Sequence, residues 1–247
     1  MIVKQILIAQ PAPNGASPYA ELVQTHKLQI DFQPFVYVEG VSVKDFRTQR
    51  IDILTYTAIV FVSRTGVDQF FRLCEELRII VPESMKYFCM TETIALYLQK
   101  YIIYRKRKIF FGNGTIESII TSIGTKHKGE NFLLGLANNS KPEFVKAFEK
   151  AKIKHTKSVL YCTVDSDLTK VDLSQYDMLV LYSSADVKSL INNFPSFKQE
   201  TLLLASFGPS TLKALKAAKL KVAIQAPTPE APSMAKALEL FLAAAKK

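Results

Sequence analysis

Cysteine and histidine are scarce in this chain of 247 residues, with three of each. Cys74, Cys89 and Cys162 are odd in number and widely scattered. They show no Cys-x-x-Cys or Cys/His ligand spacing, which excludes a disulfide framework and leaves no metal site to expect. They read as plain core or half-core thiols. His26, His127 and His155 lie in polar, Lys-rich surroundings with no acid or nucleophile partner evident in the sequence, and are expected to be exposed and silent. No apolar run approaches the roughly 18–20 residues that span a bilayer, so no membrane partner is expected. The opening residues 1–8 carry one positive charge and a short apolar run. They read as a buried strand rather than a signal peptide, which makes the cytoplasm the expected compartment. Neither a P-loop signature nor a Gly-x-Gly-x-x-Gly fingerprint occurs, so nucleotide and dinucleotide binding have no support and no cofactor is expected.

What is present is apolar material and positive charge. Hydrophobic residues make up 48% of the chain, enough for a substantial core, and the formal net charge is +10. A basic surface draws nucleic acid, anionic lipid, or a polycarboxylate or phosphate ligand, and charge alone does not choose among them. The densest basic run is Lys100, Arg105, Lys106, Arg107 and Lys108, interleaved with Tyr101 and Tyr104. It has the look of a nucleic-acid patch, but a solvated helix-to-strand connection has the same composition, and no nucleic-acid partner is expected.

Strands are predicted over residues 6–9, 30–37, 58–62, 86–89, 108–111, 131–134, 158–164, 178–182, 202–206 and 222–224. Most are unbroken apolar runs, the pattern of parallel strands covered on both faces. Helices are predicted between them, over 17–25, 67–77, 93–100, 143–151, 186–192, 211–218 and 233–247. In the second of these, Val67, Phe70, Phe71, Cys74 and Leu77 share one face. This alternation predicts an α/β fold.

The chain also looks doubled. Residues 56–67 align with 176–187 at a constant offset of 120, from Tyr56 against Tyr176 to Val67 against Val187. Both stretches read tyrosine, buried strand, serine turn, helix start. Downstream, 89–93 parallels 207–211, and upstream 34–38 parallels 158–162. Buried strands draw on few residue types, which by itself produces some of this likeness. A true repeat predicts two related lobes. Ligands of open α/β sheets bind outside the carboxyl ends of the strands, so facing lobes would enclose a cleft lined by the Ser and Thr residues of these turns.

The candidates follow from that picture. Ser63, Arg64 and Thr65 close a strand and open a helix, where free N–H groups bind carboxylate or phosphate oxygens. A simple N-cap is the alternative for Ser63 or Thr65. Ser183 and Ser184 are the second copy. Gly208 permits a tight turn, and Ser210 or Thr211 could cap the next helix while presenting a hydroxyl; Thr93 stands in the matching turn of the first half. Tyr161, late in an apolar strand, is either a proton donor or a core aromatic with its hydroxyl at the rim.

In the order and spacing of these elements the sequence resembles the uroporphyrinogen-III synthases, over nearly its whole length. The likeness rests on residues 59–67, on 89–95 with Met90 where the family usually has glycine, and on Gly112-Asn113-Gly114-Thr115. It continues through Tyr161 followed by Thr163, Phe207-Gly208-Pro209-Ser210-Thr211, and Ala226-Pro227-Thr228-Pro229-Glu230. The first strand departs from the family by ending Ala9-Gln10 rather than Thr-Arg. The resemblance implies two parallel-sheet α/β lobes joined by two extended linker strands, with the active site between them. One domain would be discontinuous, 1–34 plus 166–247, the other 39–158, with linkers 35–38 and 159–165. It implies a cofactor-free, monomeric enzyme that closes the linear polycarboxylate hydroxymethylbilane into a ring, with loss of water and inversion of ring D. Tyr161 would aid loss of the hydroxyl, and the Ser and Thr residues above would anchor carboxylates. A two-lobed small-anion binding protein without catalysis is the alternative.

Overall fold

The computed structural model describes residues 3–244; residues 245–247 of the last predicted helix lie outside the described part, as do residues 1 and 2 of the opening segment. In chain order the elements are β1 (Gln5–Ile8), α1 (Ala20–His26), β2 (Gln29–Phe32), β3 (Val36–Gly40), α2 (Val43–Thr48), β4 (Ala58–Phe61) and α3 (Arg64–Glu76). Then come β5 (Lys86–Cys89), α4 (Glu92–Tyr97), β6 (Ile109–Phe111), α5 (Ile116–Ile123), β7 (Phe132–Ala137), α6 (Pro142–Lys150) and β8 (His155–Asp165). The chain continues with β9 (Met178–Leu181), α7 (Ser184–Asn193), β10 (Leu203–Phe207), α8 (Pro209–Ala217), β11 (Ile224–Ala226) and α9 (Met234–Ala244). The described chain divides after Tyr37 and after Thr163 into two compact units. The first is built from both ends of the chain and the second from the middle.

The first unit holds a sheet in the order β11-β10-β9-β1-β2, and the second a sheet in the order β3-β8-β7-β4-β5-β6. In the first, every strand pair is parallel. In the second, the pairs β8–β7, β7–β4, β4–β5 and β5–β6 are parallel. The unbroken apolar runs have the cause the sequence suggested. Ile59 and Phe61 enter one core cluster while Ala58 and Val60 enter the one on the opposite face. Likewise Ile6 and Ile8 pack on one side of their sheet and Leu7 on the other. A strand covered on both faces has no side to spare for polar residues.

The two sheets share one plan, cut at different places. In the second unit the circuit runs β4-α3-β5-α4-β6-α5-β7-α6-β8. In the first it runs β9-α7-β10-α8-β11-α9, and β1-α1-β2 from the start of the chain complete it. Local geometry carries the match down to single residues. Asp52 caps a short 3-10 turn by accepting the Leu54 N–H, and Asp172 does the same with Ser174, at backbone angles within a few degrees of one another. Ser63 then caps α3 as Ser183 caps α7.

Four expectations are corrected. The predicted strand over 30–37 is two strands, because Gln33-Pro34 interrupts it and Pro34 has no N–H to give a ladder. The pairing of 34–38 with 158–162 is not the structural one. β2 is the counterpart of β8, each flanking β1 or β7. The helices before them end alike, with Lys27 and Lys152 left-handed and N–H bonds running back from Leu28 to Val23 and from Ile153 to Phe148. α2 and α5 lie where no helix is predicted; α2 is short and buries only Phe46 fully, and α5 buries Ile119 and Ile123. His127 is buried, 5% exposed, with its Nδ1 unpartnered and its ring against Phe88 and Phe110, while His26 and His155 are half-buried.

Candidate active site

Each sheet has a point where the strand order reverses: β1 beside β9, and β7 beside β4. In open parallel sheets the crevice for ligand forms there, outside the carboxyl ends of the strands. Ser63 and Ser183 directly follow β4 and β9 and so occupy that position in their respective units.

In the second unit, Ser63 is extended (φ −152°, ψ 160°) and its Oγ accepts the Gly66 N–H at 3.0 Å. The same Oγ lies 2.8 Å from the Tyr161 hydroxyl. Tyr161 is 8% exposed. It reaches this place from β8, where a bulge in the β7–β8 ladder sets it against Ala137; bulges characteristically re-aim side chains beside sites. The Asn138 N–H donates to the Tyr161 carbonyl at 3.0 Å, the Thr163 N–H donates to Asn138 Oδ1 at 3.2 Å, and Asn139 reaches Thr163. Asn138 and Asn139 are absent from the sequence-based candidates, because a polar turn after a strand carries no chemical signature of its own.

Gly66 lies against the tyrosine. A Cβ at this position would stand 3.6 Å from Tyr161 Cε1 and from the Gly135 carbonyl. The equivalent residue in the first unit is Asp186. It closes a capping box with Ser183: its Oδ2 accepts the Tyr182 and Ser183 N–H groups at 3.0 and 2.7 Å, and its own N–H donates to Ser183 Oγ at 3.1 Å. One scaffold therefore has two finishes. In both units the serine Oγ accepts the N–H of the third helical residue; in the first an acid at that residue also takes the backbone N–H groups of the turn, and in the second a glycine stands there and a tyrosine from another strand meets the serine hydroxyl.

The remaining candidates are distributed as follows. Arg64 is exposed at the start of α3 and Thr65 is half-buried beside it. The Arg64 guanidinium lies over the Tyr97 ring, 5.5 Å from its centroid. Thr93 is exposed but sits inside α4; the residue at the rim is Thr91, the half-buried N-cap, which makes no side-chain cap bond. A threonine followed by Glu92 is itself an N-cap signal, and that signal favours Thr91 over Thr93. In the first unit Ser183 is half-buried and Ser184 exposed. Gly208 takes φ 85°, a conformation that side chains resist. No side chain caps α8, so its leading N–H groups remain unsatisfied next to the exposed Ser210. Thr211 is corrected: it is fully buried and donates to the Phe207 carbonyl at 2.8 Å, which removes it from any ligand-facing surface. Tyr182, just before Ser183, was not among the candidates. Its hydroxyl is 2.5 Å from that of Tyr19, and burial pushes both phenols up.

Among the described residues no group of three metal-capable side chains occurs, and no helix is long and apolar enough to cross a membrane. Burial pushes the Cys74 and Cys89 thiols up to about 12, which makes them inert as nucleophiles. The basic run is divided. Lys100 pairs with Asp68, while Arg105 and Lys108 engage Glu83 beside a hollow of about 170 Å³ near the starts of β5 and β6, the ends of the strands away from Ser63.

A family model described as uroporphyrinogen-III synthase HemD matches residues 17–236. The fold is shared with solved structures at low identity. A uroporphyrinogen-III synthetase from Helicobacter pylori superposes with a TM-score of 0.60 at 16% identity, covering 98% of this chain and 99% of that one. A mutant uroporphyrinogen III synthase from the extreme thermophile Thermus thermophilus gives 0.58 at 16% identity, again with 98% and 99% covered. Among curated protein sequences no significant match is found.

Proposed function

The chain belongs to the uroporphyrinogen-III synthase family, and from that premise we propose which of its residues carry the cyclisation of hydroxymethylbilane to uroporphyrinogen III. This is a lyase reaction of tetrapyrrole biosynthesis, and family membership favours it over a non-catalytic anion receptor. The terminal C–O bond breaks as the pyrrole nitrogen lone pair pushes in, and the hydroxyl leaves as water once it gains a proton. The Tyr161 hydroxyl supplies that proton, and the Ser63 hydroxyl steadies the phenol oxygen in both states. The observation that carries this role is the 2.8 Å contact between Ser63 Oγ and Tyr161 Oη at the point where the strand order reverses. Arg64, Thr65 and the start of α3 in the second unit take substrate carboxylates, as do Ser184, Ser210 and the uncapped start of α8 in the first. Free N–H groups at helix starts favour anions, and Arg offers a carboxylate two parallel hydrogen bonds. Unassisted closure gives the isomer without inversion, so the protein's larger task is to hold one geometry. Monomeric action in the cytoplasm completes the reading.

The decisive experiment is turnover of freshly made hydroxymethylbilane by Tyr161→Phe, with type III and type I products resolved. A loss of about 10²-fold in kcat with little change in KM is expected of a lost proton donor. A folded Tyr161→Phe protein with wild-type kcat would remove the assignment.

A further inference from the structure

Arg64 and Asp68 stand one turn apart on α3, the spacing at which a cation and a carboxylate ordinarily pair. Here the carboxylate is already taken. Tyr97 Oη donates to its two oxygens at 2.9 and 3.0 Å, Tyr101 Oη donates at 2.5 Å, and Lys100 Nζ at 2.9 Å. Burial pushes the Asp68 carboxyl up, but the bonds from Tyr101, Lys100 and Tyr97 outweigh it and hold the group below its ordinary range. Tyr101 is fixed in turn by stacking on Phe71 of α3, with centroids 4.5 Å apart and planes 8° from parallel. Arg64 turns to the face of Tyr97 instead. Among the described residues no carboxylate pairs with its guanidinium.

We propose that Tyr97, held by Asp68, is a positioning residue that keeps the Arg64 fork unpaired and aimed at a substrate carboxylate. The inference rests on the reading that carboxylates bind at this rim. Two physical effects act together. The cation–π contact holds the guanidinium carbon over the ring and makes no demand on its N–H groups, which stay available. The three donors around Asp68 keep that acid from neutralising Arg64.

Steady-state kinetics with hydroxymethylbilane test this, with melting curves as a control for folding. Arg64→Gln is expected to raise KM about tenfold with kcat nearly unchanged, the signature of lost binding that is equal in ground and transition states. Tyr97→Leu should raise KM to a similar extent, with Tyr97→Met used if the leucine variant melts early. Tyr97→Phe, which keeps the ring face but loses the tether to Asp68 and one of that acid's donors, should raise it to a value between wild type and Tyr97→Leu. The double variant of Arg64→Gln with Tyr97→Leu should be no worse than Arg64→Gln alone, because the tyrosine acts only through the arginine. A folded ringless variant with wild-type KM would overturn the positioning role, as would full additivity in the double variant. An unchanged KM in Arg64→Gln would instead sink the carboxylate reading at Arg64, and the positioning role with it.

Discussion

At the scale of single residues, the contrast between Gly66 and Asp186 is the most informative comparison in the molecule. Both stand third in a helix capped by serine. A Cβ at residue 66 meets only ordinary contacts, so Gly66→Asp is expected to fold. It should build in the second unit the capping box that the first already has, adding about 0.5–1 kcal/mol. The new side chain would stand against the Tyr161 ring and set a negative charge beside the phenol that must give up its proton, so activity should fall steeply while the melting temperature holds or rises. Denaturation and turnover measured on one preparation check both halves; undiminished turnover would mean the serine–tyrosine contact is idle. Ser63 and Ser183 were legible in the sequence because N-cap chemistry is local. The contact between Tyr161 and Ser63 was not legible, since the two lie 98 positions apart. Thr211 was misread because a threonine near a helix start can point its hydroxyl back along the helix or outward, and letters do not say which. His127 was misread because its Lys-rich neighbours in sequence are not its neighbours in space, where Phe88 and Phe110 flank it.

At the scale of elements, the tie between α3 and the end of α4 is made by one carboxylate. Replacing it, as in Asp68→Asn, is expected to cost about 1 kcal/mol near neutral pH, a modest figure because the group is partly exposed. The sign of the pH dependence follows from the direction of the shift. The folded-state carboxyl is held below its ordinary 3.8, so its contribution is present above that value and is lost as pH falls through the lower folded-state range. Urea denaturation of wild type and Asp68→Asn should therefore differ by a constant amount above about pH 5 and converge below about pH 4. A gap that widened in acid would contradict the assigned cause. Most strands were found by their unbroken apolar runs, and their boundaries moved by only a few residues. The break at Gln33-Pro34 was missed because apolar residues continue on both sides of it. α2 was missed because a helix of six residues gives periodicity little room to show.

At the scale of the whole molecule, the α/β class and the doubling could be read from the chain, but the cut in the circuit could not. Offsets of 120 and 118 follow strands that keep their order in both units. β1 and β2 match β7 and β8 only after the elements are rotated around the circuit, and a linear comparison of letters does not perform that rotation. The same cut has a kinetic consequence. Every strand contact of the β7–β4–β5–β6 sheet closes within a continuous stretch, whereas Ile6 pairs with Met178 across 172 positions. Contacts so distant in sequence form late. Pulsed hydrogen exchange during refolding should protect the amides of β4 and β7 before those of β1; simultaneous protection would show that the units do not form separately. On the ribosome the delay is unavoidable. β1 meets β2 on one edge soon after, Gln5 against Gln29, but its other edge stays unmet until some 170 further residues have been made, and through that interval that edge is open to chaperones and to mispairing.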